Sequence, residues 1–110
     1  MNCNITGKQF ELTDALKESV HNALEYVERI YDDIIDTNVI LSKENNDFVA
    51  EVIMNVVGDR LVIKSIDEDM YAAIADMGVR LGKVVRRRKE KKTKIDRKSI
   101  RDMEIETDLI

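Results

Sequence analysis

Apolar and polar residues alternate with two different periods along this chain, and these periods divide it into strands and helices. Met1, Cys3 and Ile5 alternate with polar neighbours, as in a half-buried strand, and Gly7-Lys8 supplies a turn. Thr13, followed by an acid, predicts a helix start because its side-chain oxygen can accept a hydrogen bond from an early helix amide.

The first predicted helix carries one apolar stripe about twenty residues long. Its members recur at spacings of three and four, which places them on a single side of a helix. They are Leu16, Val20, Ala23, Leu24, Val27, Ile30, Tyr31 and Ile34. A helix with one apolar side is expected to pack that side against a sheet.

Three strands are predicted next. Residues 38–42 and 48–57 are β-branched or aromatic runs separated by the polar turn 44–47, which indicates a hairpin. Along the second run, alternate residues from Phe48 form an apolar side, while the other side is mixed and is expected nearer solvent. A tight Gly-Asp connection then leads into a further strand at residues 60–66.

A second helix is predicted to open at the acids Asp67, Glu68 and Asp69, which suit the positive end of its dipole. Gly78 and Gly82 lie inside it, where each glycine costs about 1 kcal/mol relative to alanine, so we expect them to permit close packing on the sheet. The apolar stripe comprises Tyr71, Ile74, Met77, Leu81, Val84 and Val85.

The order strand, helix, three strands, helix predicts a two-layer α+β domain. A helical crossover makes the first two strands parallel, so we expect a four-stranded mixed sheet with both helices on one face. We assign residues 1–92 to this single domain and residues 93–110 to a charged C-terminal extension or tail. Beyond residue 92 the apolar stripe thins, so the helix either continues unsupported or frays.

Charge is distributed very unevenly along the chain. Residues 80–101 carry twelve Lys or Arg against two acids, whereas residues 1–79 carry six bases against sixteen acids. The formal net charge of −4 therefore hides a concentrated basic segment. Such a segment is expected to face a polyanion and to turn the acidic remainder away from it.

A helical wheel separates the cations of the second helix from its apolar stripe by more than a quarter turn. Like charges three and four residues apart repel each other and destabilise the helix that carries them, and phosphate groups would relieve that repulsion. The segment has no aromatic residue, so the sequence favours recognition of the backbone of folded RNA or DNA over stacking of bases. The cationic stripe comprises Arg80, Lys83, Arg87, Lys91 and Lys94.

Other chemistry has little support in the sequence. We find no nucleophile with a base and no paired general acid and base, so no enzymatic activity, metal or cofactor is predicted. His21 and the acids are expected to be solvated or helix-capping groups, and Cys3 a small buried hydrophobe. The acids in question are Asp32, Asp33, Asp36, Asp67, Glu68 and Asp69. We also expect a cytosolic protein, since no apolar run could span a membrane and no signal peptide is evident.

Several short motifs resemble those of one family. Asn4-Ile5-Thr6-Gly7, Leu12-Thr13-Asp14-Ala15-Leu16-Lys17 and especially Asp69-Met70-Tyr71-Ala72-Ala73-Ile74 are similar to segments of the bacterial ribosome hibernation-promoting factors, also called ribosome-associated inhibitor proteins. The likeness covers about residues 1–98 in the same element order. Residues 92–98 look like the segment that follows the second helix in the long members of that family.

The resemblance implies a non-enzymatic RNA-binding domain on the small ribosomal subunit, between head and body, where it blocks translation by occupying the place of tRNA and mRNA. The family contacts ribosomal RNA through basic helical residues. On the second helix this role would pass to Arg80, Lys83, Arg86, Arg87, Arg88, Lys89, Lys91, Lys92 and Lys94. The first helix departs from the pattern, because Lys17 and Arg29 stand among several acids.

Two further hypotheses about the basic segment remain open from the sequence. The basic segment could dock on an acidic protein, including another copy of this chain, and a role at a membrane surface ranks below that because the apolar stripe is needed for the sheet. The chain is expected to be either a short family member or the N-terminal part of a longer protein, and we make no prediction that it pairs ribosomes.

Overall fold

A computed structural model describes residues 3–9 and 11–101 of the chain, with the backbone alone from residue 90 onward. The predicted order of elements is confirmed. The elements are β1 (Cys3–Lys8), α1 (Asp14–Ile30), β2 (Ile34–Glu44), β3 (Asp47–Val56), β4 (Asp59–Asp67) and α2 (Met70–Arg101). Met1, which was assigned to the first strand, lies outside the described residues.

The four strands form one mixed sheet in the order β1-β2-β3-β4. β1 is parallel to β2, while β2, β3 and β4 are antiparallel neighbours, as the α+β prediction requires. One face of the sheet packs against both helices. The core between the two layers includes Val20, Leu24, Val27, Val39, Leu41, Val52, Met54, Ile74, Met77, Leu81 and Val85.

The start of α1 follows the prediction, but its end does not. The Thr13 hydroxyl accepts a hydrogen bond from the Leu16 amide at 3.2 Å, which caps the helix. The helix ends at Ile30, so the extension of its apolar stripe to Ile34 was wrong. Ile34 instead begins β2 and pairs with Val56. The β-branched residues Ile34 and Ile35 favour a strand, and the acids before them are unfavourable at the negative C-terminal end of a helix dipole.

The acids before α2 cap it rather than belong to its first turn. The Asp69 carboxylate accepts a hydrogen bond from the Tyr71 amide at 3.0 Å, and the Asp67 carboxylate accepts one from the Asp69 amide at 3.0 Å. The assignment of Tyr71 to the apolar stripe was wrong, since its side chain is 48% exposed. Met70, the first residue of α2, is 5% exposed and provides the buried apolar side chain at the N-terminal end of this helix.

Gly78 brings the two helices into direct contact. A Cβ placed on Gly78 would lie only 2.6 Å from the carbonyl oxygen of Ala23 in α1, a distance that side chains do not tolerate. The expected close packing is therefore present, but its partner is α1 and not the sheet. A Cβ at Gly82 would meet only the Tyr26 ring, at 3.5 Å, an ordinary van der Waals contact.

α2 contains 32 residues and so is about 48 Å long. It continues past residue 92 to Arg101, so the predicted boundary between domain and tail falls inside this helix and stays a prediction. Within residues 3–9 and 11–101, neither helix combines the length and apolarity that a bilayer crossing needs.

We predict opposite effects of alanine at the two glycines of α2. Gly78→Ala should lower the free energy of unfolding by about 1–3 kcal/mol, because the new methyl group would force α1 and α2 apart. Gly82→Ala has room for its methyl group and should raise the free energy of unfolding by up to about 1 kcal/mol through helix propensity. Urea unfolding followed by circular dichroism measures both; equal stability changes would contradict the close contact at Gly78.

Candidate nucleic-acid interface

The outward side of α2 carries exposed cations over its described part. Leu81 and Val85 are fully buried against the sheet, so the helix cannot rotate without losing core packing. Lys83, Arg86 and Arg87 are exposed on the remaining side of the same turns. Among the residues whose side chains are described, Lys83 and Arg87 make no ion pair with the protein's own carboxylates. Their charge therefore faces solvent.

Arg80 is held against the edge of the sheet. Its Nε lies 3.1 Å from Asp76 Oδ2, and its Nη1 donates a hydrogen bond to the Lys64 carbonyl oxygen in β4 at 3.1 Å. Asp76 also accepts a hydrogen bond from the buried Ser65 hydroxyl, which fixes the carboxylate. Arg80 therefore helps to join α2 to β4, although its side chain is still 55% exposed.

Arg88 connects three elements. Its Nε donates to the Tyr31 hydroxyl at 3.2 Å, next to the end of α1, and its Nη1 lies 2.8 Å from Asp59 Oδ2 at the start of β4. The hydrogen bond to Tyr31, assisted by the Asp59 carboxylate, raises the pKa of the Arg88 guanidinium. The structure thus places this predicted RNA-binding residue in an internal network, with its side chain 32% exposed.

Arg86 lies over the ring of Tyr26, a residue for which the sequence predicts no role. Its guanidinium carbon is 5.9 Å from the centre of the Tyr26 ring, and Tyr26 of α1 is 41% exposed. The two residues border a groove between α1 and α2. The sequence shows only that Tyr26 falls outside the apolar stripe of α1. Its contact with Arg86 depends on how the two helices pack.

The other predicted site residues are placed less fully. Lys89 is exposed at the end of the described side chains. Lys91, Lys92 and Lys94 lie in α2 where only the backbone is described, so their predicted contacts fall outside the described side chains.

Groups considered for metal chemistry serve other purposes in the described part of the chain. Asp36 lies in β2, where its Oδ1 accepts a hydrogen bond from Asn55 at 2.7 Å, and His21 is exposed. Over the described residues, no three His, Cys, Asp or Glu side chains gather as a metal site would require. Cys3 is partly buried beside the core, and this burial raises the pKa of its thiol.

These features define a two-layer α+β domain with a cationic outer side on its second helix. The chain belongs to the family described as sigma 54 modulation protein and S30EA ribosomal protein, whose family model matches residues 3–93. This finding confirms the resemblance noted in the sequence to the ribosome hibernation factors.

Similar proteins and structures agree with this assignment. The ribosome hibernation promoting factor of Azotobacter vinelandii is 35% identical over 91 residues, 83% of this chain and 85% of that protein. The factor of the same name from Escherichia coli K12 is 31% identical over 83% of this chain and 96% of its own length.

Two solved structures share the fold. The N-terminal domain of Thermus thermophilus protein Y superposes with a TM-score of 0.73 at 31% identity, covering 79% of this chain and 98% of that one. A ribosomal subunit interface protein from Coxiella burnetii also gives a TM-score of 0.73, over 82% of this chain and 99% of that one. Its 18% identity makes the second a likeness of fold alone.

We predict that neighbouring arginines of α2 differ in their effect on stability. Arg88→Met should lower the free energy of unfolding by about 1 kcal/mol, because it removes the bonds to Asp59 and to the hydroxyl of the buried Tyr31. Arg87→Met, the matched control, should change it by less than about 0.5 kcal/mol. Thermal unfolding of both variants provides the measurement, and equal losses would show that the Arg88 network does not stabilise the fold.

Proposed function

We propose that this protein is a non-enzymatic ribosome-binding factor that uses α2 to occupy the tRNA and mRNA region of the small ribosomal subunit. Occupancy of that region would inhibit translation and favour hibernation of the ribosome. Membership of a family whose similar members are named ribosome hibernation promoting factors supports the ribosome as the partner. The choice of the small subunit follows what the family resemblance implies, and the choice of α2 as the binding surface rests on its exposed cations.

The observation that carries this proposal is the exposed cationic side of α2, in particular Lys83, Arg86 and Arg87. RNA binds such a surface because each neutralised phosphate releases condensed counterions, which favours association without any base contact. Because the core holds α2 in one orientation, the helix backbone needs little reorganisation on binding.

The acidic remainder of the chain determines which side approaches the RNA. Residues 1–79 carry sixteen acids and six bases, so RNA phosphates repel most of that surface. On α1, Lys17 and Arg29 are exposed among Glu18, Glu25 and Glu28. We therefore assign most of the RNA contact to α2 and a smaller share to α1.

The salt dependence of binding tests the phosphate contact. If roughly six or more phosphates are engaged, affinity for purified small subunits should fall about a thousandfold or more between 50 and 200 mM monovalent salt. Cosedimentation at increasing salt measures this slope. A nearly flat dependence would argue against a phosphate-based contact.

Charge reversal on α2 tests which surface is used. The double variant Lys83→Glu and Arg87→Glu should weaken binding to small subunits at least about tenfold and reduce the salt slope by about two. The matched control, Lys8→Glu and Lys64→Glu, makes the same change of net charge on the outer face of the sheet, opposite the helices.

The control variant should keep most of the affinity, and both proteins should retain the thermal stability of a folded domain. An equal loss in both variants would mean that net charge alone drives binding. Salt-sensitive self-association without RNA, abolished by the α2 reversal, would instead favour the alternative of docking on an acidic partner or on a second copy.

A further inference from the structure

A groove of about 510 Å³ runs between α1 and α2 on the outer surface of the helix layer. Its depth follows from the two glycines of α2, because Gly78 and Gly82 place only backbone where other residues would project side chains. The Tyr26 ring borders the groove from α1, and Lys83 and Arg86 border it from α2.

The groove is cationic, like the outer side of α2 and unlike the chain as a whole. Its lining includes two cations, Lys83 and Arg86, and no acid, although the chain as a whole is acidic. The polar side chains contributed by α1 are neutral, namely Ser19 and Asn22. An anionic ligand is therefore favoured, and the neutral side chains can exchange hydrogen bonds with it.

The aromatic ring of Tyr26 beside these cations favours a ligand that has a flat ring as well as a negative charge. Tyr26 is 41% exposed although the Arg86 guanidinium lies over its ring. The ring and the guanidinium both offer flat surfaces, which nucleobases stack on. A ligand with a flat ring next to a phosphate would satisfy both surfaces at once.

We propose that the groove binds a single unpaired nucleotide of the RNA, with its base on Tyr26 and Arg86 and its phosphate at Lys83. This inference rests on the proposed function, because the nucleotide belongs to the RNA strand that α2 binds. It assigns base stacking to a protein whose basic segment, residues 80–101, contains no aromatic residue. The ring comes from α1, and the packing at Gly78 brings the two helices together.

The groove continues the cationic outer side of α2, since Lys83 borders it and Arg87 lies one turn further along the helix. An RNA strand whose phosphates follow α2 thus passes the mouth of the groove. An unpaired base of that strand can turn into the groove, whereas a base in a duplex is held in its own stack.

Two RNAs with equal numbers of phosphates test the proposal. One is a hairpin whose single-stranded loop contains 2-aminopurine, a fluorescent base that is quenched on stacking, and the other is a fully paired duplex. The wild-type protein should prefer the hairpin and quench its fluorescence. Tyr26→Leu should weaken hairpin binding about 5- to 30-fold and leave duplex binding unchanged, because a leucine keeps apolar contact but cannot stack.

Tyr26→Phe is the matched control and should keep both the affinity and the quenching, since it retains the ring. Thermal unfolding should show that both variants are folded. The proposal is overturned if Tyr26→Leu binds the hairpin as the wild type does, or if it loses affinity for hairpin and duplex equally. Displacement of the hairpin by free adenosine monophosphate at a comparable concentration would also overturn it, in favour of a site for free nucleotides.

The experiment separates this inference from the proposed function. If the wild type binds small subunits with a steep salt dependence but shows no preference for the hairpin, the groove subsite is wrong and the cationic surface stands. If the wild type binds neither RNA nor small subunits, the proposed function itself fails.

Discussion

The close approach of α1 and α2 at Gly78 determines how the second helix presents its charges. Only a residue without a side chain can sit so near the Ala23 carbonyl oxygen, so the two helices lie side by side over one face of the sheet. The buried Leu81, the hydrogen bond from Arg80 to the Lys64 carbonyl oxygen and the hydrogen bond from the Ser65 hydroxyl to Asp76 fix the rotation of α2 on its other sides. One side of the helix is left to face outward.

This constraint divides the basic residues of α2 into two roles. Arg88 turns inward to Tyr31 and Asp59 and ties α2 to the rest of the domain. Its neighbour Arg87, one residue earlier, is exposed with Lys83 on the outward side. A helix with this many like charges would be disfavoured in isolation, but its packed first half and the Arg88 bonds hold it in place. The positive charge of its exposed side chains is therefore available to bind a polyanion.

The sequence predicted the element order and the cationic side because both are local patterns. Thr13 caps α1 as expected, since a cap needs only neighbouring residues. Ile34 was misassigned because its spacing continued the helical period by coincidence, while its strand partner lies far along the chain. The contacts of Arg88 with Tyr31, and of Tyr26 with Arg86, join residues of different helices. Such contacts depend on tertiary packing, which periodicity does not report.

A structure of the protein bound to the small ribosomal subunit, determined by electron cryomicroscopy, would test the role of α2 most directly. We predict that Lys83 and Arg87 lie within ion-pair distance of ribosomal RNA phosphates and that the domain fills the space used by tRNA and mRNA. A complex in which the open face of the sheet meets the RNA while α2 faces solvent would contradict this role.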